Sequence, residues 1–231
     1  MKVTIESKSL RKVALLKGLS DAEIEQVLED AHEVSYPAGT VLFTFDQPGE
    51  VVYIIVEGAV KVYLEGAHSK STTLAVLSVG EIVGEMSMAD SLAHSAAAST
   101  LDDTTLIWMS HVHLRDCLDK IPSLNRSLAN VLSRRLRLAD AHIQSLSALD
   151  LFGRVARQLL TFGQEYGQPA PGGGLTIPFR LTQSDLADLV GASRGRVNSV
   201  LMSFREDGYL RVDSGFRITL DNQEALARRC V

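Results

Sequence analysis

LTQSDLADLVGASRGRVNSVLMSFREDGYL, residues 181–210, has the residue pattern of a helix-turn-helix. Thr182 is placed to cap a first helix, with Asp185 three residues on to complete a capping box and Leu181 and Leu186 at the spacing of a hydrophobic staple. Leu186, Leu189 and Val190 recur at helical intervals, Gly191 permits a tight turn, and Ser193 can cap a second helix. On that helix Val197, Val200, Leu201 and Phe204 fall at i, i+3, i+4 and i+7 and share one buried face. Gly195, Asn198, Ser199 and Met202 then face outward, with Arg194 and Arg196 near the helix start. Such a surface suits a DNA major groove, where arginine grips a guanine edge and a helix N-terminus favours phosphate. Helix pairs with a glycine turn are common, and spacing alone leaves an ordinary small α domain equally open.

The next residues favour the first reading. Residues 209–212 alternate, Asp213, Ser214 and Gly215 form a turn, and residues 216–219 alternate again, which describes a β-hairpin set as a wing. Arg211 and Arg217 are its candidates for touching the sugar-phosphate backbone, as a positioning contact that carries no base information.

Upstream of the motif, residues 150–166 carry Phe152, Val155, Ala156, Leu159 and Leu160 at helical spacing, and residues 167–179 read as a flexible turn and short strand. Before them lies the longest helical pattern, residues 121–147, with Pro122 near its first turn. Leu124, Leu128, Val131 and Leu138 form one apolar strip of this helix, and Leu132, Leu136, Ala139, Ile143 and Leu146 form an adjacent one. So broad an arc needs two partners: one strip can cover the preceding domain and the other can pair with its copy in an isologous homodimer, a reading favoured over a single long core helix within one chain.

Between residues 34 and 109 the texture changes to short β-type runs with glycine corners, at residues 40–45, 51–57, 59–64, 72–78 and 106–109. This suggests a barrel, roll or jelly-roll domain. Within it VGEIVGEMSMADSLAHSAAAS, residues 79–99, is unlike its neighbours. Gly84 and Glu85 can open a short helix whose amides face the interior as an anion site, with His94 and Ser95 as added donors, although for the isolated string a glycine-containing crossover with no ligand is the favoured reading. A helical lead-in over residues 10–32 carries Leu15, Leu16 and Leu19, then Ser20 as a cap before Ile24, Val27 and Leu28.

The 231 residues, 45% of them hydrophobic, suffice for two cored domains. No apolar run approaches membrane-spanning length and the first twelve residues lack a signal-peptide core, so a cytoplasmic protein with no membrane partner is expected. Cys117 and Cys230 are far apart and outside any CxxC, which argues against disulfide frameworks, iron–sulfur clusters and zinc sites; no metal or haem is expected. His111, His113, Asp116 and Cys117 are too sparse a set for a metal or nucleophile site, and an enzyme is not expected. The net charge of −5 divides into −6 for residues 1–149, with 13 basic against 19 acidic residues, and +1 for residues 150–231, with ten arginines against nine acidic residues. DNA binding needs a local basic stripe, and Arg180, Arg194, Arg196, Arg205, Arg211 and Arg217 surround the motif.

Taken together, these strings resemble the CRP/FNR superfamily of bacterial transcription regulators, the cAMP receptor protein and its relatives. The resemblance rests on the glycine-marked roll, Gly84–Glu85, the long helix, LSALDLFGRVARQLL at residues 146–160 and LTQSDLADLVGASRGRVNSVL at residues 181–201. It implies an α+β chain: an effector-binding β-roll of the cyclic-nucleotide-binding type at 1–118, a dimerisation helix at 119–148, and a winged helix-turn-helix at 149–231. It further implies a homodimer on a palindromic double-stranded DNA site, and RNA polymerase as a partner. In cyclic-nucleotide-binding members the cassette reads GE…RSA. Here Glu85 and Ser95 match, while His94 stands in the arginine position and lacks its bidentate charge. Ala139 and Asp140 replace the Thr-Ser pair that reads adenine, and Arg135 matches a family arginine. The resemblance therefore assigns Gly84, Glu85, His94, Ser95, Arg135 and Asp140 to an effector site for cAMP, another cyclic nucleotide or a different small molecule, unless the protein acts without one. It assigns Thr182, Gln183, Ser193, Arg194, Gly195, Arg196, Asn198, Ser199, Arg211 and Arg217 to DNA. Where many members show SRETVxR, Gly195 replaces the glutamate and Ser199 the second arginine, which predicts an altered half-site. The alternative is a cyclic-nucleotide module that acts through protein partners with a helix-turn-helix that no longer binds DNA.

Overall fold

A computed structural model describes residues 13–66, 71–90 and 92–230 of the chain. The first twelve residues, where the leader-peptide expectation and the start of the lead-in helix fall, lie outside the described residues. Two compact units divide between Arg135 and Leu136, inside one continuous helix.

The first unit is a roll of two four-stranded antiparallel sheets. One has the order β1 (His32–Tyr36), β8 (Thr104–Ser110), β3 (Val51–Glu57), β6 (Ile82–Val83); the other has β2 (Val41–Phe43), β7 (Ala97–Thr100), β4 (Ala59–Glu65), β5 (Ser71–Ser78). Phe43, Val60, Leu77 and Ala98 from the second sheet meet Tyr53, Ile55, Val83 and Leu106 from the first to form the core between them. The alternate residues Val52, Ile54, Ile107 and Met109 point to the outer face of the first sheet, under α1 (Asp21–Leu28), α3 (His111–Lys120) and the start of α4 (Pro122–Ala148). With both faces of β3 covered, its sequence is a continuous apolar run with no alternation.

Ser20 caps α1 through the reciprocal bonds of a capping box with Glu23, and Ser123 at the head of α4 donates to the same glutamate at 2.6 Å. Leu124, Leu128 and Val131 of α4 are buried against the roll, as their strip requires. The second strip is different: Leu136 and Ile143 are 64% and 62% exposed, and Leu146 is also exposed. Leu132 of the same strip packs partly against the roll core and Leu146 lies beside Gly191, so Leu136 and Ile143 are the strip's most exposed large side chains among the described residues.

The second unit holds α5 (Leu151–Tyr166), capped by Asp150, followed by the short strands β9 (Gln168–Pro169) and β10 (Leu175–Thr176). The helix-turn-helix is α6 (Gln183–Val190) and α7 (Arg194–Glu206). Thr182 and Asp185 form the expected capping box, Gly191 ends α6 in the left-handed region at φ 63°, and Ser193 caps α7. Leu181 and Leu186, the staple pair, are both buried. Strands β11 (Leu210–Val212) and β12 (Ile218–Leu220) form the wing, which joins β10 and β9 in a four-stranded sheet. The wing turn is longer than the sequence suggests. Asp213 Oδ1 accepts from the amides of Gly215 and Arg217, and Phe216 sits at φ 61°, so the second strand begins only at Ile218.

Other departures from expectation also have local causes. Strands β1, β6 and β7, and the closing helix α8 (Gln223–Ala227), are additional to the sequence reading. Strand β2 stops at Phe43, followed by a turn in which the Thr44 amide donates to Gln47 Oε1 and Asp46 adopts φ 63°.

Candidate effector pocket and nucleic-acid interface

The roll encloses a cavity of about 70 Å³ lined by Phe43, Glu85, Ser87, His94, Ser95 and Arg135 among others. Gly84 introduces it: the residue sits at φ 91°, and a Cβ would lie 3.0 Å from the Val51 carbonyl, so the backbone can approach β3 only without a side chain. The short helix α2 (Glu85–Asp90) follows.

Glu81 and Glu85 are buried carboxylates, and α4 supplies their cations. Arg135 donates to Glu85 and to the Ile82 carbonyl, and reaches Glu81 at 3.3 Å; Arg134 pairs with Glu81 as well. Removal of two carboxylates from water is tolerable only with such pairing. Arg135 Nε remains buried without a hydrogen-bond partner, a donor that an acceptor on a polar ligand would satisfy.

His94 is 5% exposed and occupies the cassette position as a packed core residue. Its ring stacks on Phe43 with centroids 3.7 Å apart and planes 10° from parallel, and Nδ1 lies 3.2 Å from Ser87 Oγ. Burial, and then the nearby His111, push the His94 pKa below its usual value; burial is also the main cause lowering that of His111. The imidazole is therefore neutral at physiological pH and presents no standing charge to an anion. Ser95 is exposed, with its hydroxyl 3.9 Å from Met86 Sδ.

Of the residues assigned to the effector, Gly84, Glu85, His94, Ser95 and Arg135 line the same cavity, and Asp140 does not. Asp140 is exposed, because five residues along a helix rotate the side chain by about 140° from the direction of Arg135. Phe43, Glu81, Ser87 and His111 also form the pocket or its supports and were not legible as site residues. Glu81 and Ser87 lie within the 79–99 string, while Phe43 and His111 come from distant strand and helix ends. Small-molecule sites usually have about 300–1,000 Å³, so a nucleotide enters this cavity only if its side chains move.

The α7 surface follows its sequence pattern. Val197, Val200, Leu201 and Phe204 are buried, while Ser193, Arg194, Gly195, Arg196, Ser199 and Met202 are exposed and Asn198 is half-buried. Gln183 Nε2 donates to Asn198 Oδ1 at 2.8 Å, Arg194 Nε donates to Gln183 Oε1 at 3.4 Å, and Ser199 Oγ donates to the Gly195 carbonyl. Thr182 is a cap whose hydroxyl is engaged by Asp185. On the wing, Arg211 pairs with Asp221 at 2.9 Å and donates to the Gly173 carbonyl, and Arg217 Nε donates to Pro178 O. Arg180 lies over the exposed ring of Phe216 at 5.3 Å, a pairing that sequence spacing did not suggest because 36 residues separate the partners.

A β-roll with this pocket, joined by a long helix to a winged helix-turn-helix, defines a two-domain bacterial regulator. Residues 33–120 match the cyclic nucleotide-binding domain family and residues 153–229 the Crp-like helix-turn-helix domain family. A CRP-like cAMP-activated global transcriptional regulator of Mycobacterium tuberculosis is 31% identical over 220 residues, 95% of this chain and 97% of that protein. Among solved structures, FixK2 of Bradyrhizobium japonicum has a TM-score of 0.77 at 25% identity, covering 87% of this chain and 98% of its own. The c-di-GMP-responsive global regulator CLP of Xanthomonas campestris scores 0.72 at 25% identity, covering 87% and 99%. The chain belongs to the CRP/FNR family and is a DNA-binding transcription regulator. No helix among the described residues is long and apolar enough to cross a membrane.

Proposed function

We propose that the protein acts as a homodimer on a palindromic site, paired through Leu136, Ile143 and Leu146 of α4, with one α7 in the major groove of each half-site. The observation that carries this reading is the two-sided character of α7. Its apolar face is fully used inside the domain, which leaves Arg194, Gly195, Arg196, Asn198 and Ser199 as a polar outer face with a capped N-terminus. The exposed α4 strip supports a two-fold pairing, because large apolar patches on a free surface mark association. Arg211 and Arg217 position the wing on the backbone once phosphate competes for their present partners. Two family members of known effector differ in it, cAMP for the M. tuberculosis relative and c-di-GMP for CLP. A small effector in the roll, held by Glu85, Ser95 and Arg135 without a cassette guanidinium, is the reading the pocket supports for this chain. RNA polymerase is the partner a promoter-bound dimer would address.

Gel-shift and anisotropy titrations against genomic fragments test the DNA reading, with Arg194→Ala as the variant. Loss of specific binding well in excess of non-specific binding is the expected result; equal loss on both DNAs would remove Arg194 from base reading. Calorimetric titration with cAMP and then cGMP tests the pocket. Saturable heat supports a cyclic nucleotide as effector, and its absence from DNA-competent protein points to another effector or to constitutive action.

A further inference from the structure

The outer face of α7 carries a hydrogen-bonded chain whose direction is dictated by its first member. Arginine has only donors, so the Gln183 atom that meets Arg194 Nε must be the carbonyl oxygen, which leaves Gln183 Nε2 to face Asn198. That nitrogen donates to Asn198 Oδ1 at 2.8 Å. A flipped Asn198 amide would set two NH₂ groups against each other. The guanidinium thereby fixes, two bonds away, which end of Asn198 is an acceptor already engaged and which is an NH₂ donor.

We infer that Asn198, oriented by the Arg194–Gln183 chain, reads an adenine in each operator half-site. The Nδ2 donor matches adenine N7, and the second lone pair of Oδ1 accepts from adenine N6. Guanine offers two acceptors at the same edge and would set O6 against Oδ1, while cytosine offers only a donor. The neighbouring positions do not compete for this role: Gly195 has no side chain, and the Ser199 hydroxyl is turned back onto the Gly195 carbonyl. Arg194 and Asn198 are four residues apart, about 6 Å along the helix, against a rise of about 3.4 Å per base pair. The adenine therefore lies within two base pairs of the base gripped by Arg194.

This inference rests on the DNA-binding reading above, and the test separates the two. Randomised duplexes selected by the full-length protein give a preferred sequence, and the selection is repeated with Asn198→Ala and Gln183→Met. The expected result is a half-site adenine that Asn198→Ala no longer selects, with affinity for the preferred site reduced about five- to a hundredfold per half-site and unrelated DNA bound as before. Gln183→Met should weaken the same adenine preference more than the base preference at the Arg194 position, because Arg194 loses one acceptor while Asn198 loses the donor that orients it. Replacing that adenine by 7-deazaadenine, which lacks the N7 acceptor, should weaken wild-type binding and leave Asn198→Ala indifferent. A preferred sequence that Asn198→Ala keeps intact, or an equal loss on all sequences, overturns the inference alone. A wild-type selection that yields no preferred sequence overturns it together with the palindromic-site reading.

Discussion

Arg135→Met should destabilise the roll by about 3–5 kcal/mol, the range for removing one partner of a buried ion pair. The geometry places the variant within that range. The Glu81 and Glu85 side chains are 6% and 3% exposed, and Arg135 serves both along with the Ile82 carbonyl. Glu81 keeps Arg134 after the substitution, so the cost falls on Glu85, which is left as a buried carboxylate facing an apolar side chain. Small domains have about 5–15 kcal/mol in total, so the loss is a large fraction of the roll's stability. The single tryptophan, Trp108, lies in β8, and its fluorescence during urea titration reports this unit. Adding Glu85→Gln removes the stranded charge, so the double variant should be more stable than the sum of the single losses predicts, with a coupling of about 0.5–3 kcal/mol. A loss below about 1 kcal/mol for Arg135→Met, or strictly additive losses in the double variant, would refute the claim that the buried Glu85 carboxylate depends on this pairing.

Burial holds His94 and His111 neutral in the folded roll and His142 neutral in the second unit. As pH falls through the ordinary histidine value of 6.5, the unfolded chain takes up protons that the folded chain refuses, so the urea midpoint should fall steadily below that pH. A midpoint unchanged between pH 7.5 and pH 5.5 would contradict the assignment. Gly84→Ala should cost about 1–2 kcal/mol from its left-handed backbone alone, before the contact with Val51. Gly195→Ala, with open space at its Cβ inside α7, should stabilise by up to about 1 kcal/mol; calorimetry compares the two, and a destabilised Gly195→Ala would show the helix surface to be misread. Ile143→Glu should convert the dimer to monomers in sedimentation runs while leaving Trp108 fluorescence unchanged; a surviving dimer would place the interface elsewhere.

Much of the second unit was legible because its signals are local. Thr182 with Asp185, Gly191 and Ser193 each act within one turn of chain, and the four apolar positions of α7 need only the 3.6-residue period to find their face. The wing was legible in outline and misjudged at Phe216, where the Asp213 carboxylate bridges two amides and holds a non-glycine residue in the left-handed region. The roll was less legible. Strand β1 alternates His32, Glu33, Val34, Ser35, Tyr36 with few large apolar residues, and β7 is built from alanine, serine and threonine, whose burial comes from close neighbours more than from hydrophobicity.

By itself, the sequence determined the family, through its motif strings, and the succession of roll, long helix and winged helix-turn-helix, the buried face of the helices of the second unit and the outward set on α7, because these follow from periodicity and short-range capping. Tertiary structure alone decided the state of the candidate pocket: His94 stacks on Phe43, 51 residues away, and Glu85 pairs with Arg135, 50 residues away. Whether a histidine presents a charge or fills a core, and whether a carboxylate is open to a ligand or bound to an arginine, depends on the partners that folding brings from distant segments. Spacing along the chain carries no record of those partners, and a single sequence could mark the cassette without revealing that its own side chains nearly fill it.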